Sequence, residues 1–219
     1  MKKLFLLALG MLLSLSVMAE PLNIMVFGDS LSVGHNLATE DSFWQQLEKS
    51  LANKGYQVKV LNYSKSGETT AGGLRKVKDA LFMNPDCVLL ELGINDAFQK
   101  VPLKDTTKNL QGIIDFLKKR GIPVLLIGME APTYRTSEYR DEFREMYADL
   151  AYENELLLYP FFMKGLWNDD GTQKSADYFL KDRVHPSAKG VKIMVNHILP
   201  VVEQFIAEDV AEVIISKGN

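Results

Sequence analysis

Short apolar runs alternate with amphipathic stretches along most of the chain. Residues 23–27 are apolar after the first position and end at Gly28, which predicts a strand. Residues 41–54 place Phe43, Trp44, Leu47 and Leu51 on one helical face, and Gly55 supplies a stop. Residues 58–63 read as a second strand. Thr69 or Thr70 is placed to cap a helix carrying Leu74, Val77 and Leu81. Residues 87–92 form a third, nearly all-apolar strand. Residues 105–120 repeat Leu110, Ile113, Ile114 and Leu117 at helical spacing before Gly121. A fourth strand follows at 124–127, a charged amphipathic helix at 137–154 and a short fifth strand at 156–158. From Ser187 onward, Val191, Met194, Val195 and Ile198 mark the inward face of another helix, and residues 201–215 read as helix packed on the sheet. Residues 165–181 fit no element and read as a long loop running into Asp182.

This alternation predicts an α/β sandwich around a parallel five-stranded sheet. Its strands are near-continuously apolar, as strands covered on both faces must be. At 219 residues, 47% hydrophobic and 24% charged, the chain suits a single globular domain. The first residues read differently. Lys2 and Lys3 precede an apolar run over 4–17, and Val17-Met18-Ala19 is a small-residue cleavage pattern. This predicts a signal peptide over 1–19, a single domain over 20–219 and a periplasmic or secreted location. The run is shorter than the ~18 residues a spanning helix needs, so no stable membrane span is expected after cleavage. The formal net charge of -3, without a basic run, argues against nucleic-acid partners. The single cysteine, Cys87, lies in an apolar run and reads as a buried, inert thiol. A monomer is expected.

In an open parallel sheet, ligands bind beyond the carboxyl ends of the strands. The loops there are Gly28-Asp29-Ser30-Leu31-Ser32, Ser64-Lys65-Ser66-Gly67 and Gly93-Ile94-Asn95-Asp96. Acyl transfer needs a hydroxyl, a base, an orienting acid and donors for a developing oxyanion. Ser30 offers the hydroxyl. Its own backbone N–H, that of Gly67 and the amide of Asn95 offer donors. Of three histidines, His197 lies within the last amphipathic helix, and His35 has no acid at a fixed short spacing. His185 has Asp182 three residues before it, close enough to hold the imidazole through one turn, and Pro186 limits His185 to extended backbone, so His185 ends that turn.

Other chemistries lack their residues. There is no G-x-S-x-G elbow. The glycines from 67 to 73 lack both the P-loop ending and dinucleotide spacing. No zinc cluster is present, and the pattern at 168–171 fails as an EF-hand loop. No metal and no cofactor are expected. A non-catalytic ligand-binding protein would not account for all of these loops together.

The four blocks, in this order, resemble the SGNH hydrolase family, also called GDSL esterases, over about residues 22–200. Within it the chain is similar to bacterial arylesterase, thioesterase I and lysophospholipase-type enzymes, through residues 27–32, 91–96 and 159–163. The resemblance implies a flavodoxin-like three-layer α/β/α fold. It also implies a triad of Ser30, Asp182 and His185, with an oxyanion hole of Ser30, Gly67 and Asn95. The substrates implied are carboxylic esters, acyl-thioesters or lysophospholipids; a carbohydrate O-deacetylase with the same machinery is the alternative. Ile94 stands where relatives often have a small residue, and the 165–181 loop is longer than theirs. Ile94, Phe98, Val101, Leu103, Met129, Ala131, Pro132 and Tyr134 follow the third and fourth strands. Ile94, Phe98, Pro132 and Tyr134 in particular are expected to bind the acyl part of a small ester or lipid substrate in an apolar groove.

Overall fold

The computed structural model describes residues 20–168 and 171–211. The expected leader over 1–19 and the end of the helix expected over 201–215 lie outside them.

Five strands form one sheet: β1 (Leu22–Phe27), β2 (Val58–Asn62), β3 (Cys87–Leu90), β4 (Val124–Ile127) and β5 (Leu158–Tyr159). Every pairing is parallel, and the strand order is β2-β1-β3-β4-β5. Residues 24–27, 87–90 and 124–127 are all 2% exposed or less, including Cys87. Strands with no polar face must be covered on both sides, and helices do this. α2 (Phe43–Asn53) packs against α7 (Ala188–Phe205), while α5 (Leu103–Lys118) packs against both α3 (Thr70–Lys76) and α6 (Ser137–Asn154). Right-handed crossovers on either side of β1 place these two groups on opposite faces. The result is the three-layer α/β/α sandwich expected from the alternation.

β4 and α6 match the expected bounds. Elsewhere the differences have local causes. The third strand ends at Leu90 rather than Leu92, because the chain turns at Gly93 into a short helix, α4 (Ile94–Phe98), that periodicity did not reveal. Thr69, not Thr70, caps α3 by accepting from the Gly72 N–H. α3 stops at Lys76, so Leu81 falls in a 3-10 turn over Asp79–Met83. The fifth strand is displaced to Leu158–Tyr159. The start of the stretch expected over 201–215 belongs to α7, which runs through Pro200 and passes into a π-helical turn, Ile206–Val210. Pro200 leaves the Asn196 carbonyl without its helical donor, and both residues are exposed on the outer side of α7.

Two buried carboxylates meet between the ends of β1 and β3. Asp29 is 0% exposed and Glu91 2%. Glu91 Oε2 accepts from the Asp29 N–H at 3.2 Å and from Ser32 Oγ at 2.7 Å. Burial pushes the Asp29 carboxyl up to about 7; repulsion from Asp96 and Glu68 adds to this, and the Leu31 N–H opposes it. Burial, then repulsion from Asp29, carries Glu91 well above the usual carboxylate range, against its Ser32 and Asp29 donors. An acid that holds its proton more tightly when folded contributes stability that is lost as pH rises from its ordinary value, 3.8 for Asp29, to about 7. Glu91→Gln keeps the acceptor and removes one charge. Its melting temperature is expected to fall less than the wild type's between about pH 4 and about pH 8 in circular dichroism melts. An unchanged slope would place the cost elsewhere.

Candidate active site

Gly28 and Asp29 turn the chain from β1 into α1 (Ser30–Val33), one helical turn. The Asp29 side chain caps it by accepting from the Leu31 N–H at 2.9 Å. Ser30 is the first helical residue, so its own N–H stands outside the helical ladder. Its side chain is half-buried at the mouth of a cavity.

The other half of the site comes from the turn before α7. Asp182 Oδ1 accepts from the N–H groups of Val184 and His185, both at 3.0 Å, an Asx turn in which the carboxylate folds its own backbone. Asp182 Oδ2 lies 2.8 Å from His185 Nδ1, and His185 Nε2 lies 2.9 Å from Ser30 Oγ. The Leu180 N–H donates to the His185 carbonyl at 2.8 Å, and Ser187 caps α7 directly afterwards. Burial alone would raise the Asp182 carboxyl, but N–H donors from His185 and Val184, with the His185 ring, hold it down at about 2. The carboxylate is therefore ionised at any pH where His185 can act as a base.

Gly67 and Asn95 reach the same cavity from the loops after β2 and β3. Gly67 has φ +76°, and a Cβ there would meet nothing within 4 Å, so the backbone conformation rather than room calls for glycine. Asn95 lies in the first turn of α4. The N-cap of that helix, Gly93, has φ +133°, and a side chain there would strike the Tyr147 hydroxyl, which donates to the Leu92 carbonyl at 2.9 Å. Both amide hydrogens of Asn95 are engaged, one by Asp29 Oδ2 and one by the Glu68 carbonyl, each at 2.9 Å. Asp96, buried beside it, accepts from the Thr70 N–H at 2.9 Å and from Thr70 Oγ1 at 2.6 Å, tying α3 to α4.

The cavity measures about 860 Å³. Ile94, Phe98, Pro132 and Tyr134 all line it, as do Met129 and Ala131. Val101 and Leu103 do not: Val101 closes the turn after α4, donating its N–H to the Asp96 carbonyl at 2.9 Å, and Leu103 opens α5, which leads away. The 165–181 loop does approach the site, contributing Trp167, Asn168 and Gly171 to the wall. His197 lies on α7 next to Gly165, outside the cavity lining. The wall also holds Glu130, Arg140 and Arg144, with Arg144 Nη1 3.4 Å from Glu130 Oε2. Burial raises the Glu130 carboxyl against the pull of Arg144. Glu130, Arg140 and Arg144 were not singled out from the sequence; His35, weighed there and set aside as the base, stands in the cavity wall. The spacing of Arg140 and Arg144, one helical turn apart on α6, was the available signal for the first three. Among the described residues no cluster of His, Cys, Asp or Glu could hold a metal, and no helix is long and apolar enough to cross a membrane.

The chain is similar to known proteins over most of its length. The model of the GDSL-like lipase/acylhydrolase family matches residues 26–193. An arylesterase of Vibrio mimicus is 32% identical over 86% of this chain and 88% of its own. Thioesterase 1/protease 1/lysophospholipase L1 of Escherichia coli is 30% identical over 80% of this chain and 85% of its own. The crystal structure of AlinE4, an SGNH-hydrolase family esterase, superposes with a TM-score of 0.70 at 35% identity, covering 85% of this chain and 97% of that one. With the family pattern running through most of its length, this chain belongs to the GDSL-like lipase/acylhydrolase family.

Proposed function

We propose that the protein is a serine ester hydrolase in which Ser30 attacks the acyl carbonyl, His185 moves the proton and Asp182 holds His185 in place. The observation that carries this is the pair of contacts on one imidazole: Nδ1 at 2.8 Å from Asp182 Oδ2 and Nε2 at 2.9 Å from Ser30 Oγ. Asp182 accepts at Nδ1, so Nδ1 carries the ring proton and Nε2 is the free base. His185 takes the Ser30 proton as the alkoxide forms. The Ser30 and Gly67 N–H groups receive the developing oxyanion. Asn95 joins them by sharing a hydrogen now given to Glu68 or Asp29, a three-centre arrangement. One donor of this kind contributes roughly 3 kcal/mol to lowering the barrier. His185 then protonates the leaving alcohol or thiol, and water, activated in the same way, clears the acyl-enzyme.

The substrates proposed are carboxylic esters with an apolar acyl or aryl part, and acyl-thioesters or lysophospholipids by likeness to the relatives. The size of the cavity and its Ile94, Phe98, Met129 and Pro132 wall support this reading.

Ser30→Ala is expected to lower p-nitrophenyl ester hydrolysis by at least ~10³-fold, with an unchanged circular dichroism spectrum. Retained activity would remove Ser30 from the chemistry. Asp182→Asn presents a donor where Nδ1 needs an acceptor and favours the wrong tautomer, so kcat should drop about 10³- to 10⁴-fold. A drop of only a few-fold would make Asp182 a purely structural residue. Across p-nitrophenyl esters of short, medium and long acyl chains, kcat/KM should peak beyond acetate. A sharp preference for acetate would favour a carbohydrate O-deacetylase instead.

A further inference from the structure

We propose that Arg140 is a specificity-determining residue of this site: its guanidinium receives a carboxylate at the far end of the acyl chain, so the substrates taken include monoesters of dicarboxylic acids. This rests on the reading of Ser30 as the nucleophile.

The strand order sets out the cavity wall along the sheet edge. Ser30 follows β1, Ile94 and Phe98 follow β3, and Met129 and Glu130 follow β4. Neighbouring strands lie about 4.8 Å apart, so the ends of β1 and β4, two spacings away from each other, are separated by about 10 Å. Ile94 and Phe98 make the stretch between them largely apolar. Past β4 the chain enters α6, which brings Arg140 and Arg144 into the same wall. A substrate laid along this edge meets the hydroxyl, then an apolar stretch, then guanidinium groups.

The two arginines are in different states. Arg144 is committed: Nη1 lies 3.4 Å from Glu130 Oε2, and Nη2 donates to the Asp141 carboxylate. Arg140 joins no ion pair among the described residues, and its Nε is buried without a hydrogen-bond partner. A buried donor without an acceptor carries its full desolvation cost until one arrives. The position is also unfavourable for the helix. Arg140 is the fourth residue of α6, near the positive end of the helix dipole, where acids rather than bases are stabilising. A ligand carboxylate answers both: it accepts from the guanidinium, and the same dipole attracts it.

The surrounding charge selects the class of anion. Glu130, on the loop after β4, is the carboxylate of this corner that lines the cavity, and it bonds Arg144. Arg183 also lines the cavity but belongs to the turn of Asp182 and His185, beside the nucleophile. At the β4 end one cation is left uncommitted, which matches a single negative charge. A planar guanidinium offers a carboxylate two parallel N–H donors. An acyl chain of medium length spans the about 10 Å of sheet edge.

The test compares kcat/KM for p-nitrophenyl hydrogen suberate, which ends in a carboxylate, with that for p-nitrophenyl octanoate, which ends in a methyl group. The readout is the ratio of the two on each enzyme, so a general loss of activity cancels. Arg140→Gln should lower the suberate-to-octanoate ratio about tenfold, the loss of one charge-assisted contact. Arg140→Lys should fall between wild type and Arg140→Gln. Glu130→Gln should raise the ratio, because it removes a like charge and frees Arg144. In the wild type the ratio should decline as potassium chloride rises from about 0.02 M to about 0.5 M, a measurement that stands even where a variant is unstable. A ratio that Arg140→Gln leaves within twofold of wild type, that Glu130→Gln lowers, or that salt does not move would overturn the assignment. Labelling of Ser30 by a fluorophosphonate separates the two readings. No labelling and no cleavage of either ester defeats the proposed chemistry itself, whereas cleavage with an unmoved ratio defeats only the role of Arg140.

Discussion

The contact between His185 Nε2 and Ser30 Oγ joins residues 155 apart in the chain, and the architecture exists to make it possible. A local turn can present a histidine to an aspartate, but it cannot present that histidine to a serine at the other end of the molecule. A parallel sheet does this because every strand delivers its following loop to the same edge. β1 and β3 are neighbours, while β2 lies on one side of them and β4 on the other. Where connections leave in opposite directions, the loops part and leave a crevice. Ser30 follows β1 and Asn95 follows β3, so both stand at that crevice.

Next to Ser30 lies a layer of buried acidic groups with few counter-charges. Asp29 caps α1 and accepts from Asn95, Glu91 accepts from the backbone of Asp29 and from Ser32, and Asp96 binds Thr70. Each carboxylate ties the end of one element to the end of another, so the layer fixes the relative positions of α1, α3 and α4. Burial without a cation favours the protonated forms of Asp29 and Glu91. The layer therefore works through directed hydrogen bonds rather than net charge. Asp182 is the opposite case: exposed, supplied with N–H donors and held ionised. Two environments for the same functional group separate a structural carboxyl from an orienting one.

The cavity combines an apolar wall with a polar corner. Ile94, Phe98 and Met129 suit hydrocarbon, while Glu130, Arg140 and Arg144 bring paired charge onto the same surface. Phe98, Tyr134 and Val184, at 39%, 64% and 42% exposed, line the cavity while remaining open to solvent. An ester with an apolar acyl part and a more polar remainder matches this division better than a wholly apolar one.

Much of this was readable from sequence because the governing interactions are short-range. Apolar runs specify buried strands at any position, so β4 and α6 fall where periodicity puts them. The Asp182–His185 relation is three residues long, and one turn of backbone decides it. The stops at Gly55 and Gly121 also read directly to within two residues, whereas the end of α3 at Lys76 did not. Other features were out of reach. The short α4 carries too few residues for a period. A charge at the end of an apolar run, Glu91, signals an anomaly but not its partner across the sheet. His35 has no acid near it in sequence, and its partner is 150 residues away. The sequence by itself determined the strands and the longer helices, and which residues offer the site a carboxylate, an imidazole and a hydroxyl, because those depend on residue type and on neighbours along the chain. Only the tertiary structure decided that His35 lies on His185, that Asn95 spends both hydrogens and that Glu130 meets Arg144. Contacts across the sheet edge follow from where distant loops converge, and no local pattern encodes that.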